Sequence, residues 1–146
     1  MGPFRSGGHP AYGGGMDGPD VGARAGVTRV VTGGDTAAAL RSGDLAVLGT
    51  PRLLAWCEEA SCLAVAPSLP AGTTTVGTSV HLEHLAPSGV GQRVTVHAQV
   101  TAVEGRRLVL EVGAMDAGGV VVGRGTVERV VVDAGRFLAR LAVDPG

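Results

Sequence analysis

The chain has 146 residues, of which 45% are hydrophobic and only 3% aromatic, and a formal charge of −1 from 12 basic and 13 acidic side chains. A domain of this length buries roughly two-thirds of the surface its extended chain would expose, so one domain suffices, and its core must be built from Val, Leu and Ala. The near-zero charge offers no excess of positive side chains to a nucleic-acid backbone, no apolar run approaches the ~18 residues of a membrane span, and residues 1–20 lack the apolar centre of a signal peptide.

Residues 1–24 include GPFRSGGHPAYGGGMDGP, a Gly/Pro-rich stretch without periodicity. Such a composition cannot bury enough apolar surface to order itself, so a disordered tail is expected there and a single domain over 25–146. Met16 offers an alternative start within the tail, which leaves His9 and Tyr12 little claim on function. Residues 27–32 form a β-branched run that Gly33, Gly34 and Asp35 end as a turn. From Thr36 to Gly49 the pattern is weakly helical and broken by Gly43 and Gly49, which suits a lid that closes over a ligand.

Thr50-Pro51 reads as a helix start, with a hydroxyl at the N-cap and proline at the first helical position. The helix should run to about residue 66, where Pro67 stops it, and Leu53, Cys57, Ala60 and Ala64 give it one apolar stripe. Cys57 and Cys62 fall on different faces of that helix and cannot bridge each other; two ordinary thiols suit a reducing cytoplasm. Four β patterns follow at 73–86, 93–103, 106–117 and 120–132, with Glu104-Gly105 and Gly118-Gly119 as hairpin turns. A short helix at 134–143 closes the chain. One helix followed by an antiparallel meander makes an α+β domain in which the sheet curls around the helix. The absence of lysine beside 25 glycines fits a GC-rich, bacterial coding bias.

His84 is the sharpest signal from pattern. Val76, Thr78, Val80, Leu82 and His84 share one strand face by the period of two, while Ser79, His81 and Glu83 face away. An inward histidine is either a satisfied core residue or an acid-base group near a carboxylate. Glu58 and Glu59 compete for a place near the sheet, because adjacent helical residues point about 100° apart. Thr50 serves either as the N-cap or, at a helix N-terminus, beside a developing oxyanion. It lies about 12 Å along the axis from Glu58, so the two meet only if the helix starts later or a second subunit supplies one of them. Gly77 marks a bulge or a close backbone approach. Arg129, within GTVERVVV, is either solvated at an edge or paired with a phosphate or carboxylate. No metal-ligand cluster, phosphate loop, nucleophile elbow or dinucleotide fingerprint is present.

The segments VLGTPRLLAWCEE and VGTSVHLEHLAPSG, with VEGRR at 103–107 and GTVER at 125–129, resemble the fluoroacetyl-CoA thioesterase-like family of the hot-dog superfamily. The resemblance runs from about residue 47 to 141. It implies a hot-dog fold, one long central helix wrapped by a curved antiparallel sheet, with two protomers forming sites at their interface. It further implies that Thr50, Glu58 and His84 form the catalytic group and that Gly77 and Arg129 bind substrate. Glu58 would act as nucleophile or general base toward the thioester carbonyl, and His84 would move the proton to the leaving thiolate or activate water. The implied substrate is an acyl-CoA or acyl-carrier thioester, with coenzyme A as part of the substrate and no separate cofactor. Residues 37–48 hold no aromatic side chain, whereas fluoroacetyl-specialised members gate their pocket with aromatics, so the acyl group is left open.

The expectation is therefore a cytoplasmic, homodimeric thioester hydrolase without nucleic-acid or membrane partners. The alternative is a non-catalytic hot-dog protein that binds an acyl thioester, which needs none of Thr50, Glu58, His84 and Arg129. A hydratase would require an Asp-and-His motif that the chain lacks.

Overall fold

In a computed structural model, which describes residues 18–141, a five-stranded antiparallel sheet curls around one long helix. Strand β1 is Arg24–Val30, the short helix α1 is Ala37–Leu40, and the central helix α2 is Thr50–Val65. Strands β2 (Thr73–His84), β3 (Arg93–Glu104), β4 (Arg107–Asp116) and β5 (Val121–Asp133) follow, and α3 (Ala134–Ala139) ends the described elements. The sheet order is β1-β3-β4-β5-β2. The first and second strands in sequence therefore form the two edges, and the helix linking them crosses the sheet's concave face.

Alternation explains why this sheet closes on this helix. Val94, Val96, Ala98 and Val100 of β3 and Leu108, Leu110, Val112 and Ala114 of β4 all turn inward and are at most 2% exposed. Against them lie Leu53, Cys57, Ala60 and Ala64 of α2, the stripe expected from the sequence. Small residues along α2 let the sheet approach closely. The chain's one tryptophan, Trp56, joins this core, a place its position in the sequence had not marked.

Several boundaries move. The first strand starts at Arg24 rather than residue 27, because its pairing with β3 runs from Arg24 opposite Gln99 to Val30 opposite Arg93. Before it, the Gly22 N–H already donates to the Val100 carbonyl at 2.8 Å. The rest of the expected tail, residues 1–17 with His9, Tyr12 and Met16, lies outside the described residues, as do residues 142–146 at the end of the expected closing helix. The β3-β4 hairpin turns at Gly105 and Arg106, one residue later than expected. Glu104 pairs with Arg107, and Gly105 takes a left-handed φ of 61°.

The expected inward row of β2 is also corrected. A bulge between Gly77 and Ser79 inserts one residue and resets the alternation. Thr75 and Gly77 face inward before it, Val80, Leu82 and His84 after it. Val76 and Thr78 do not belong to the row; Thr78 is exposed.

Segment 36–49 is anchored at many points. Ala37 N–H donates to the Val47 carbonyl, Leu48 N–H to the Ser88 carbonyl and Gly49 N–H to the Asp35 carbonyl. A Cβ at Gly49 would lie 3.1 Å from the Ala37 Cα, so α1 sits hard against the start of α2. Arg52 pairs with Asp35 at 2.9 Å. Burial pushes the Asp35 carboxyl upward, but bonds from the Thr32 backbone and hydroxyl, with the charge of Arg52, outweigh it and hold the group below its ordinary value.

Candidate active site

Two polar clusters are built on the concave side, one at the start of α2 and one near its middle. In the first, Thr50 Oγ1 lies 2.8 Å from His84 Nδ1. Thr50 is not the N-cap. That position belongs to Gly49, and Thr50 is the first helical residue. With no capping bond to make, its hydroxyl is turned to the imidazole that ends β2. His84 sits there because the bulge restores its inward parity and because Gly123, opposite it in β5, carries no side chain. Burial lowers the His84 pKa, and a bond to the Ala86 backbone opposes this only in part. The ring is neutral at physiological pH and able to take a proton. Its Nε2 is buried and has no hydrogen-bond partner among the described residues.

The second cluster centres on Arg129. Its position in β5 follows inward-facing Val127 by two, so its side chain enters the core side and is only 5% exposed. Its Nε donates to Thr75 Oγ1 at 2.8 Å, Nη2 to the Thr75 carbonyl at 3.2 Å, and Nη1 to Glu58 Oε2 at 3.2 Å. Nη1 also reaches Ser61 Oγ at 3.5 Å, and that hydroxyl donates to the Glu58 carbonyl at 2.6 Å. The carboxylate of Glu58 is partly exposed, with 36% side-chain accessibility, so one oxygen is held while the group still faces outward. A Cβ at Gly77 would overlap Glu58 Oε2 and lie 3.3 Å from Arg129 Nη1. Glycine is present there because the Glu58 carboxylate occupies the space.

Glu59, the competing acid, also reaches the sheet, but at the edge farthest from β2, where it pairs with Arg29 of β1. The expectation that only one of the two acids could lie near the sheet is therefore corrected, and each has its own arginine. Cys57 is an inert thiol. Burial, with a smaller contribution from the Glu58 charge, pushes its pKa up to about 12.

Within one protomer the site residues thus fall into two groups. Thr50 joins His84, and Glu58 joins Arg129 and Gly77. The eight residues from Thr50 to Glu58 span about 12 Å of axis, and the helix does begin at Thr50, so a late helix start does not bring them together. Ser61 and Thr75 complete the arginine's bonds and were not singled out by sequence. Ser61 carried a weak signal, a hydroxyl three residues after Glu58. Thr75 carried none, because the bulge inverted its apparent side.

Beside the Thr50–His84 pair lies an open cleft of about 270 Å³. One wall is segment 36–49, through Ala37 and Val47, and the other is the loop after β2, through Leu85 and Pro87. Among the described residues no group of three or more His, Cys, Asp or Glu side chains is arranged to hold a metal ion, and no helix is long and apolar enough to cross a membrane.

An antiparallel sheet wrapped around a single long helix is a hot-dog fold, and the Thr-His pair and the Arg-held glutamate lie on its concave side. The sequence model of the family described as "Fluoroacetyl-CoA-specific thioesterase" matches residues 31–135, and the chain belongs to that family. It is 38% identical over 95 residues to the fluoroacetyl-CoA thioesterase of Streptantibioticus cattleyicolor, an alignment covering 65% of this chain and 68% of that protein. Among solved structures, the fluoroacetyl-CoA thioesterase FlK superposes with a TM-score of 0.78 at 34% identity, over 85% of this chain and 96% of that one. A hot-dog-like protein from Thermanaerovibrio acidaminovorans gives a TM-score of 0.75 at 30% identity, over 86% and 96%. The chain is a thioesterase, as the sequence resemblance implied.

Proposed function

We propose that this thioesterase hydrolyses acyl-CoA as a homodimer, with Thr50 and His84 of one protomer facing Glu58 of the partner subunit. The observation that carries the proposal is the separation just described. Each half of a hydrolytic site is built and hydrogen-bonded, yet the halves stand too far apart on one rigid helix to act on one carbonyl. A two-fold axis beside the exposed β2 edge would pair each half with the complementary half of the other chain.

In this reading the thioester carbonyl lies near the N-terminus of α2, where the helix end favours developing negative charge. Glu58, held by Arg129 in the space Gly77 leaves, either draws a proton from the water that attacks that carbonyl or attacks it directly, displacing the thiolate and leaving an anhydride that water then cleaves. In both cases the proton that ends on the departing thiolate comes from the water and passes through the neutral His84, which Thr50 holds by a hydrogen bond. Arg129 and Gly77, expected to bind substrate, serve here to fix the carboxylate. Coenzyme A is preferred as the carrier because solved structures of FlK mutants hold acetyl-CoA and fluoroacetate with CoA. A cytoplasmic location fits the two free cysteines.

Subunit mixing tests the proposal. His84→Ala and Glu58→Gln proteins, each inactive alone, are unfolded together and refolded. Statistical pairing makes half the dimers mixed, each with one intact site, so about a quarter of wild-type activity returns. No recovery from a mixture shown to contain mixed dimers rules out the shared site.

A further inference from the structure

We infer that the cleft beside Thr50 and His84 takes an uncharged aliphatic acyl chain longer than acetyl, with butyryl and isovaleryl as the representative groups. The inference rests on the thioesterase reading of this site and adds the class of acyl group.

The lining carries the argument. Ala37, Val47, Leu48, Leu85, Ala86 and Pro87 present aliphatic surface to the space. The Ser42 and Thr50 side chains add hydroxyls and His84 its imidazole, and among the described residues no other aromatic ring and no arginine or carboxylate lines it. Once the partner subunit covers the cleft, a second carboxylate on the acyl group would be desolvated with no cation from these walls to meet it, which is strongly unfavourable. An acetyl group would leave most of the aliphatic wall uncovered. At about 270 Å³ the space lies just under the roughly 300 Å³ where pockets for drug-sized ligands begin, so it suits a short chain with room for a branch.

The walls are also preformed. Ala38 N–H bonds the Leu45 carbonyl, Thr36 Oγ1 caps α1 by accepting from Ala39 N–H, and Arg41 ends α1 in a left-handed conformation with φ 59°. Bridges tie Thr36 to Leu48 and Val47 to Gly89. A segment fixed at both ends and in its middle does not collapse onto a smaller group, so the aliphatic walls this protomer gives the shared site keep their shape.

The test is thiol release by the full chain from acetyl-, butyryl-, isovaleryl-, succinyl- and benzoyl-CoA. The expected kcat/KM for butyryl- and isovaleryl-CoA exceeds that for acetyl-CoA by at least about tenfold, since each buried methylene contributes about fourfold. Succinyl-CoA should trail butyryl-CoA by at least about 100-fold. Turnover in which acetyl-, succinyl- or benzoyl-CoA is preferred overturns the inference and leaves the thioesterase reading standing, whereas turnover of no thioester removes both. Ala86→Phe and Val47→Phe narrow the cleft while keeping the Thr50 and His84 side chains and the Ala86 backbone bond to His84. Each should lose at least about tenfold on butyryl-CoA and little on acetyl-CoA. Equal losses on both substrates, in protein whose melting temperature is unchanged, overturn the inference. Should either variant fail to fold, Ala86→Leu makes the same comparison with a smaller plug.

Discussion

Every nitrogen of the Arg129 guanidinium has a partner inside the protein, so the arginine is fixed and holds one oxygen of the partly exposed Glu58 carboxylate. Gly77→Ala probes that arrangement from the other side. The new methyl meets the far end of a flexible side chain, the Glu58 carboxylate, and the carboxylate rather than the backbone gives way. We expect a melting temperature within a few degrees of wild type and a fall in kcat of about 10- to 100-fold, the scale of a 1 Å misplacement at a reacting centre. Unchanged kcat would show that the carboxylate's position is immaterial. Glu58→Gln should cost at least about 100-fold in hydrolysis while Glu59→Gln, which breaks only the half-exposed pair with Arg29, does little; equal effects would undo the distinction between the two acids. For His84 the lowered pKa fixes a sign. The imidazole must be neutral to accept a proton, so activity should fall on the acid side only below its ordinary value of 6.5. His84→Ala should remove that limb while His81→Ala leaves it in place, and a full-rate His84→Ala protein would make the histidine a core residue only.

Gly125 shows how much an element can depend on one absent side chain. A Cβ there would overlap the His81 carbonyl and lie 2.9 Å from the Leu82 Cα, and here the obstacle is backbone. Gly125→Ala must therefore separate β5 from β2 or twist both, and we expect a loss of about 1–3 kcal/mol, read as an earlier midpoint in urea unfolding. A midpoint at or above wild type would show that the strands have slack. The central helix and the strands were legible in the sequence to within about one to three residues, because the helix stripe at Leu53, Cys57, Ala60 and Ala64 and the alternation of β3 and β4 are strong periodic signals, whereas the closing helix stops at Ala139, four residues before its expected end. The side assignments in β2 were not, since a bulge adds one residue without changing composition, and a period-two reading carries the error back from Val80 to Val76. The role of Thr50 was misread for a related reason. Thr-Pro and Gly-Thr-Pro both start helices, and the choice of Gly49 as cap is decided by His84, 34 residues away, which gives the hydroxyl a better partner. Arg129 could be seen as an odd charge in an apolar strand, but only the three-dimensional pairing of β5 with β2 supplies Thr75 and identifies Glu58 as its carboxylate.

At the scale of the molecule, burial lowers the pKa of His97 as well as His84. A histidine depressed in the folded state binds its proton more readily when unfolded, so its contribution to stability is complete above 6.5 and declines as the pH falls from there toward the folded-state value. The fold should accordingly melt earlier as the buffer is taken below about pH 6.5, and the double variant His84→Ala, His97→Ala should flatten that decline. A second feature of the whole molecule is its uncovered edge. Strand β2 has twelve residues and lies at the end of the sheet order, so among the described residues one of its sides has no strand beside it. It contains no proline or lysine to blunt it, and long unprotected edges pair with whatever matches them. A second β2 run antiparallel is the symmetric match, and it would bring the neighbouring helices, with Thr50 and Glu58, to either side of the two-fold axis. Light scattering is therefore expected to give twice the 14.5 kDa of one chain. On dilution, activity per chain should fall over the same concentration range in which the mass halves. A monomer that retains full activity per chain would show that one protomer carries a complete site, and the two clusters on α2 would then need a different explanation.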